Sequence, residues 1–323
     1  MKIQTPQVSI CIPTYNNTYY LKKTLSSIIS QIFTDYELII TDDSDNQDVK
    51  ELIDQFNFQD KLRYYHNEKP LGSPRNWNCC ISKAQGKYIK IMHHDDWFSS
   101  TDALENLVGL IKEHPNNILA FCGSKNIALN GSIISQHSIT DSYVSAIRYD
   151  PEFIFYNNVI GAPSVTLFKK NDLLFDENLK YVVDIDYYIR LLKLNPQFAF
   201  TKDFLINIGL SNTQVTESAI HNKNLLIFEY SHTYQKLKHT KNQLQFYFDT
   251  FWMLIRRFNI KTNNELTEAG WSGAVPYFVT CCIKANGLIS YLPKKHYLQQ
   301  LIKNLTFWQA KINDSYKASR RVR

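Results

Sequence analysis

Pairs of adjacent aspartates follow strand-like runs in the N-terminal part of the chain. Asp95 and Asp96 come after the run KYIKIM and two histidines, and Trp-Phe follows them. Adjacent carboxylates repel each other unless a cation lies between them, and oxygen ligands of this kind suit Mg²⁺ or Mn²⁺. The alternative is a solvated turn in which Asp96 or Ser99 caps the next helix. The strand end and the flanking histidines and aromatics favour a metal site.

The other pair, Asp42 and Asp43, ends the β-rich run YELIIT. An aspartate at such a position could accept a hydrogen bond from a base N–H, as in uracil recognition. A polar turn is the alternative, because aspartate and serine are frequent turn residues.

Two further aspartates, Asp184 and Asp186, open an apparent helix. One interpretation is a general base that activates an acceptor hydroxyl at the rim of the site. The other is two carboxylates that complement the helix dipole in its first turn. Their spacing alone does not distinguish the two.

These acidic residues need a framework that brings strand ends together, and the hydrophobic pattern predicts one. Short β-rich runs alternate with amphipathic helical runs, which indicates an α/β fold with a mostly parallel sheet covered on both faces. Ligands of such sheets bind beyond the carboxyl ends of the strands, so both aspartate pairs are expected at one crevice. The predicted strands are 8–12, 36–41, 62–66 and 87–92, and the predicted helices are 20–30, 49–58, 76–84 and 102–114.

The second half of the chain has a looser pattern. Its end is mainly helical, and a domain boundary is predicted near residue 220. Residues 204–222 are polar and are expected to be irregular. The predicted strands are 118–122, 165–168 and 198–201, and the predicted helix is 184–194. The regions 225–260 and roughly 265–315 are expected to be mainly helical.

Composition excludes several classes of protein. With 44% hydrophobic and 20% charged residues in 323, the chain is neither disordered nor a coiled coil. It lacks both common glycine-rich phosphate loops. No apolar run is long enough to span a bilayer and the N-terminus lacks a signal-peptide core, so a cytoplasmic protein with reduced thiols is expected.

The positive charge is concentrated at the C-terminus. From Lys284 onward there are nine Lys or Arg and one acid, a net charge of +8 where the whole chain carries +6. A solubilising tail is one interpretation. The other is attachment to an anionic membrane surface, since Leu301, Ile302, Leu305, Phe307 and Trp308 lie among these cations. Nucleic acid is not expected, because no nucleic-acid-binding module accompanies the charge.

Six short segments occur in the order seen in family 2 glycosyltransferases, and the chain resembles that family over about residues 7–215. The last segment resembles the family's Glu-Asp-x-Asp motif with Arg-Leu downstream. The segments are VSICIPTYN at 8–16, DDS at 42–44, GSPRN at 72–76, AQGKYI at 84–89, DDW at 95–97, and DID at 184–186 with RL at 190–191.

The resemblance implies the GT-A fold, with residues 1–220 as the nucleotide-sugar-binding and catalytic domain and 221–323 as a helical extension. It implies that Asp184 is the catalytic base and that Asp95 and Asp96 lie in the metal-binding region, with Mn²⁺ or Mg²⁺ as the cofactor. Further candidates are His93, Asp186 and His221. The implied nucleotide-binding residues are Pro13, Thr14, Tyr15, Asp42, Asp43, Arg75 and Asp95.

Three departures from the family pattern affect these assignments. His93 replaces the first aspartate of Asp-x-Asp-Asp, so one alignment gives ribose to Asp95 and metal to Asp96, and another gives the metal to Asp95. Val183 replaces the glutamate before the base. Asn207 to Gly209 stand where the family often has Arg-x-His. His221 is then a candidate histidine ligand, and a histidine in a surface loop is the alternative. The Q-x-x-R-W motif of processive synthases is absent, so one sugar per acceptor is expected.

The resemblance therefore implies an inverting glycosyltransferase. The expected donor is a nucleotide-sugar linked to UDP. The expected acceptor is a surface glycan such as O-antigen, capsule or lipooligosaccharide, which could be lipid-linked at the inner face of the cytoplasmic membrane. The alternative, suggested by Val183 and His93, is a protein that binds nucleotide-sugars without transferring them. A nucleotidyltransferase is disfavoured, because residues 13–20 contain no Gly, Lys or Arg.

Overall fold

The computed structural model describes residues 5–210, 219–237, 244–290 and 296–320. The chain divides into two units. The first lies within Met1–Ile154 and Asn158–Gln214, and the second lies within Phe155–Asn157 and Val215–Arg323. The functional division at residue 220 stays a prediction.

A nine-stranded sheet forms the centre of the first unit. Its strands run in the order β3-β2-β1-β4-β8-β6-β9-β5, and β7 pairs with β6 outside this path. The strands are β1 (Val8–Thr14), β2 (Tyr36–Asp42), β3 (Leu62–His66), β4 (Tyr88–Ile91), β5 (Asp96–Phe98), β6 (Leu119–Ile127), β7 (Ile133–His137), β8 (Thr166–Lys169) and β9 (Phe198–Gly209).

The two halves of the sheet differ in strand direction. Strands β1 to β4 pair in parallel, as helical crossovers between consecutive strands require. In the other half β8 is antiparallel to both β4 and β6, and only β6 and β9 are parallel. The predicted α/β class is confirmed, and the sheet as a whole is mixed.

Helices cover the sheet where the sequence shows helical periodicity. In α1, Leu21, Leu25 and Ile28 are buried on one face, and the Asn17 side chain caps the helix by accepting a hydrogen bond from the Tyr20 N–H. The helix predicted over 49–58 is shorter in the structure. The helices are α1 (Thr18–Ile29), α2 (Asp48–Ile53), α3 (Arg75–Ser82), α4 (Ala103–Lys112), α5 (Asp141–Tyr149), α6 (Phe153–Tyr156), whose residues divide between the two units, and α7 (Val183–Leu194).

One strand prediction was wrong and one strand was not predicted, and both differences bear on the site. Strand β9 continues to Gly209, although 204–222 was expected to be irregular. Its distal part pairs with β5, a three-residue strand without a periodic pattern of its own, so that Asp96 lies opposite Ile208. This pairing depends on a contact between distant segments, which local sequence does not encode.

The described part of the second unit is helical. The regions 225–260 and 265–315, predicted to be mainly helical, are confirmed as such in their described residues, where several helices follow one another. Its core is aromatic: the Phe155 ring contacts Tyr230, Tyr247 and Phe251. No described helix is long and apolar enough to cross a membrane. The helices are α8 (Lys223–Lys236), α9 (Leu244–Arg257), α10 (Asn263–Glu268), α11 (Tyr277–Ile289) and α12 (His296–Arg320).

Candidate active site

Three side chains that could hold a metal ion converge where the turn after β4 leads into β5. His93, Asp95 and Asp96 each offer one ligand atom, and these atoms all lie within 4.8 Å of one another. His93 and Asp95 are half-buried and Asp96 is buried. The His93 Nδ1 lies 3.8 Å from the Asp96 Oδ2. The sequence predicted the two aspartates as metal ligands and named His93 only as a further candidate, and the structure places all three together.

The unsatisfied polar atoms of this cluster fit a divalent cation. The Oδ1 of Asp96 and the Nε2 of His93 are buried, and neither makes a hydrogen bond within the described part of the chain. Burial raises the pKa of Asp96 and lowers the pKa of His93 to about 4, so the imidazole is neutral at pH 7 and keeps a lone pair for a metal. Two carboxylates with one imidazole suit Mn²⁺, and the oxygens alone also suit Mg²⁺.

Gly209 contacts the turn that carries Asp95 and stabilises it. Its N–H donates to the Asp95 carbonyl over 2.9 Å. A Cβ at position 209 would lie 2.5 Å from that carbonyl oxygen and 2.6 Å from the Tyr20 ring, so only glycine fits. The Thr24 hydroxyl adds a hydrogen bond of 2.7 Å to the Asp96 carbonyl. The sequence had marked Asn207 to Gly209 only as a departure from the family motif.

Two further residues contact the cluster, and the sequence indicated neither. The Trp77 ring lies 4.7 Å from the His93 ring, centroid to centroid. The Ser164 hydroxyl accepts a hydrogen bond of 3.0 Å from the His93 N–H, and the Ser164 carbonyl accepts one from the Nζ of Lys90. Lys90 is fully buried, and burial lowers its pKa to about 8.

Asp42 holds the end of β2 together. It has no exposed surface. Its Oδ1 accepts hydrogen bonds from the N–H and hydroxyl of Ser44, and its Oδ2 accepts one of 2.8 Å from Tyr64. Burial, and then this hydrogen bond, raises the pKa of Tyr64. A bound base would therefore reach Asp42 only if these neighbours moved.

Asp43 holds the loop that follows β3. Its Oδ1 accepts hydrogen bonds from the Asn67 side chain and the Leu71 N–H, and its Oδ2 accepts one of 2.9 Å from the Gly72 N–H. A carboxylate can accept about four hydrogen bonds, so capacity for one base N–H remains. Asp43 is 4% exposed.

The other predicted nucleotide-binding residues lie around the same strand ends. Pro13 and Thr14 end β1, and the Thr14 carbonyl accepts the Asp43 N–H over 3.0 Å. Tyr15 follows with half of its surface exposed, and its hydroxyl donates to Asp45 over 3.4 Å. Arg75 begins α3, and its Nε donates to Glu177 over 2.9 Å in an exposed ion pair.

Asp184 lies at the N-terminus of α7 and is oriented by a residue that the sequence did not indicate. The Asn158 Nδ2 donates to the Asp184 Oδ2 over 2.7 Å, and the Asp184 Oδ1 accepts the Ile185 N–H over 2.8 Å. The Oδ1 of Asn158 accepts the Gly161 N–H over 3.1 Å. Gly161 has a positive φ of 105°, which favours glycine. The one feature of the sequence that could have indicated Asn158 is its spacing from Gly161, Asn-x-x-Gly, which is common in turns.

Residues 158–164 link the two candidate groups of the site. Asn158 contacts Asp184, and six positions later Ser164 contacts His93. Gly161, between them, accepts a hydrogen bond of 3.2 Å at its carbonyl from the Tyr188 hydroxyl of α7. The candidate base and the candidate metal ligands are therefore held by one short segment.

The two remaining candidates lie elsewhere. Asp186 is buried and forms an ion pair with Arg190 one turn later in α7, at 2.7 Å, and Arg190 also donates to the Leu174 carbonyl. These contacts hold α7 against the preceding segment. His221 belongs to the second unit, just before α8.

Comparison with known proteins identifies a family. The family model described as glycosyl transferase family 2 matches residues 9–172. An uncharacterized glycosyltransferase of Methanocaldococcus jannaschii is 27% identical over 260 residues, which cover 79% of this chain and 88% of that protein. Poly(ribitol-phosphate) beta-N-acetylglucosaminyltransferase TarS of Staphylococcus aureus is 24% identical over 179 residues, 54% of this chain and 30% of TarS.

Solved structures share the fold. S. aureus TarS 1–349 in complex with UDP-GlcNAc matches with a TM-score of 0.63 at 18% identity, over 97% of this chain and 92% of that one. Mannosyltransferase PcManGT from Pyrobaculum calidifontis, in complex with GDP-Man and Mn²⁺, matches with a TM-score of 0.58 at 14% identity, over 98% and 88%. The predicted GT-A fold is confirmed.

Proposed function

The chain belongs to glycosyl transferase family 2 and is a glycosyltransferase, and we propose that it is an inverting, metal-dependent enzyme that moves one sugar from a UDP-sugar to a hydroxyl of a glycan acceptor. The observation that carries this proposal is the convergence of His93, Asp95 and Asp96 with their ligand atoms within 4.8 Å. A nucleotide-sugar presents a diphosphate, and a divalent cation at such a cluster neutralises it.

The proposed site divides between the nucleotide and the departing diphosphate. We assign the base and ribose to the ends of β1 and β2, where Asp43 keeps capacity for one more hydrogen bond and Tyr15 exposes an aromatic ring. Mn²⁺ or Mg²⁺ held by Asp95 and Asp96, with His93, would supply charge neutralisation at the diphosphate. The complexes of TarS with UDP-GlcNAc and of PcManGT with GDP-Man and Mn²⁺ support a donor of this class.

Asp184 is the proposed general base. Its carboxylate takes the proton of the acceptor hydroxyl, whose oxygen bonds to the anomeric carbon while the bond from that carbon to the diphosphate oxygen breaks. A single displacement of this kind inverts the anomeric configuration. Asn158 keeps the carboxylate in one orientation for this step.

The proposed acceptor is a surface glycan, such as O-antigen, capsule or lipooligosaccharide, built on a lipid carrier at the inner face of the cytoplasmic membrane. The name of TarS, which glycosylates poly(ribitol-phosphate), supports a cell-surface polymer as the acceptor class. The enzyme would add one sugar per acceptor in the cytoplasm.

A donor screen tests the proposal. The purified chain is incubated with UDP-, GDP- and dTDP-sugars, with Mn²⁺ or EDTA, and the release of nucleoside diphosphate is measured with and without an acceptor extract. Release from a UDP-sugar that EDTA abolishes is the expected result. Binding of a UDP-sugar by calorimetry without release under either condition would instead favour the alternative, a binding protein without transfer activity.

A further inference from the structure

Helix α12 carries a continuous apolar stripe on its exposed side. Its members recur three or four residues apart, so they lie on one face of the helix. More than half of each side chain is exposed. The members are Tyr297, Leu301, Leu305, Trp308 and Ile312.

The opposite side of α12 already has its partners. Thr306 and Ala310 are buried, and the Phe307 ring contacts Phe248 of α9 at 5.2 Å. Lys303 forms an ion pair of 2.7 Å with Asp249. The exposed stripe is therefore a second apolar face, and the described residues of the second unit do not pack against it.

A groove between α11 and α12 widens this surface. It is lined by Ala285 and Leu288 of α11 and by Ile302 and Leu305 of α12. Leu288 is 66% exposed. The groove and the stripe share Leu305, and together they form one surface, called here the α11–α12 face.

Cations border this face, and acids are nearly absent from the segment that carries it. Lys284 lines the groove, and the Nζ of Lys311 lies 5.0 Å from the centre of the Trp308 ring. From Lys284 to the C-terminus the sequence has nine Lys or Arg and one acid. Lys303 is already neutralised by Asp249, whereas no ion pair is found for Lys284 among the described residues. 

We propose that the α11–α12 face docks onto an anionic lipid bilayer, with the apolar stripe at the boundary of headgroups and acyl chains. Apolar and aromatic side chains flanked by lysines are the composition of helices that lie in a membrane interface. Tyr297 and Trp308 place amphipathic rings at that depth. Each basic residue near an anionic surface adds about 1 kcal/mol of attraction.

Charge favours a bilayer over a second copy of the chain. By sequence, the segment from Lys284 onward carries a net charge of +8, so two copies of it brought together repel each other. An anionic surface is attracted by the same charge. The geometry is that of a helix lying on the membrane, since no described helix can span it.

Vesicle binding of the full chain tests this proposal without donor or acceptor, so its outcome is independent of the catalytic assignment. The chain is sedimented with vesicles of phosphatidylcholine alone or with about one-third phosphatidylglycerol. Binding to the anionic vesicles is expected to be at least about tenfold tighter and to weaken as salt is raised. Equal binding to both, or none, overturns the proposal.

Matched variants identify the surface. Leu301→Gln with Trp308→Gln is expected to weaken anionic vesicle binding at least about tenfold, because two exposed apolar side chains leave the interface. The control pair, Leu129→Gln with Ile134→Gln, removes equally exposed apolar side chains from the first unit and is expected to bind as wild type. Thermal unfolding and donor hydrolysis of all variants verify the fold.

Two further measurements separate the alternatives. Trp308 fluorescence, assigned by difference from Trp308→Phe, is expected to shift to the blue with anionic vesicles. A dimer in sedimentation equilibrium that Leu301→Gln with Trp308→Gln dissociates, together with unchanged vesicle binding, would show that a second copy covers this face and would overturn the proposal.

Discussion

The side-chain amide of Asn158 donates a hydrogen bond of 2.7 Å to Asp184, twenty-six positions later in the chain. The oxygen of the same amide accepts a hydrogen bond from the Gly161 N–H. The loop therefore orients Asn158, and Asn158 orients the Asp184 carboxylate. Through Ser164 the segment also contacts the His93 backbone. The candidate base is thus oriented by the same stretch of chain that supports the candidate metal ligands.

Asp184→Asn is expected to abolish sugar transfer, because an amide cannot take the proton of the acceptor hydroxyl. Donor affinity, measured by calorimetry, is expected to stay close to wild type. The exposed Asp60→Asn serves as the control and should transfer sugar normally. A normal transfer rate in Asp184→Asn would remove the residue from the role of base.

For Asp186, the second aspartate of α7, substitution is expected to lower the stability of the fold. Asp186→Asn breaks the buried ion pair with Arg190 and is expected to cost about 2 kcal/mol of unfolding free energy. Urea denaturation measures this loss. If Asp186→Asn were as stable as wild type but inactive, Asp186 would belong to the catalytic groups and not to the fold.

Asn158→Asp tests the positioning of the base. The substituted oxygen can still accept the Gly161 N–H, but the donor to Asp184 is lost and a like charge replaces it. We expect kcat to fall about 100-fold through misplacement of the base, with little change in donor affinity or melting temperature. Steady-state kinetics at saturating donor checks this split, and an unchanged kcat would contradict it.

Asp96→Asn tests the metal site with little change in shape. Mn²⁺ affinity, measured by calorimetry in the presence of UDP, is expected to fall at least about tenfold, or 1.4 kcal/mol. Asp102→Asn, at an exposed position before α4, is the matched control. If Asp96→Asn kept the wild-type dependence of donor hydrolysis on Mn²⁺, Asp96 would not be a ligand.

Gly209→Ala tests the support of the turn that carries the candidate metal ligands. The added Cβ would clash with the Asp95 carbonyl, and we expect a loss of about 1–3 kcal/mol in unfolding free energy together with weaker Mn²⁺ binding. Gly109→Ala in α4 meets no atom within 4 Å and is expected to stabilise the protein by up to about 1 kcal/mol. Opposite signs in urea denaturation are the expected outcome, and equal effects would contradict the steric argument.

Burial of Lys90 predicts a dependence of stability on pH. Its pKa of about 8 in the folded protein lies below the ordinary value of 10.5. Between these two pH values the unfolded chain binds more protons than the folded chain, so the free energy of unfolding rises with pH. In EDTA, wild type is expected to gain about 2 kcal/mol relative to Lys90→Met between pH 8 and pH 10. Denaturation of both proteins at the two pH values measures this difference, and a constant difference would show that Lys90 is not desolvated.

The sequence determined the parallel half of the sheet and the position of the acidic residues within it. Strands β1 to β4 and the helices between them have apolar periodicities that depend on local residues, and each strand end is marked by polar residues. For this reason Asp43 and Asp95 could be placed at strand ends, and the segments around them already resembled those of family 2 glycosyltransferases.

The tertiary structure decided what those residues contact. Strand β5 exists because β9 pairs with it, and Gly209 is required because the Asp95 carbonyl approaches it from the turn before β5. The hydrogen bond from Asn158 to Asp184 joins a loop to a helix. Which side of α12 is buried and which is exposed depends on the packing of α9 against it. Such contacts between distant segments depend on the relative positions of whole elements, which local periodicity does not encode.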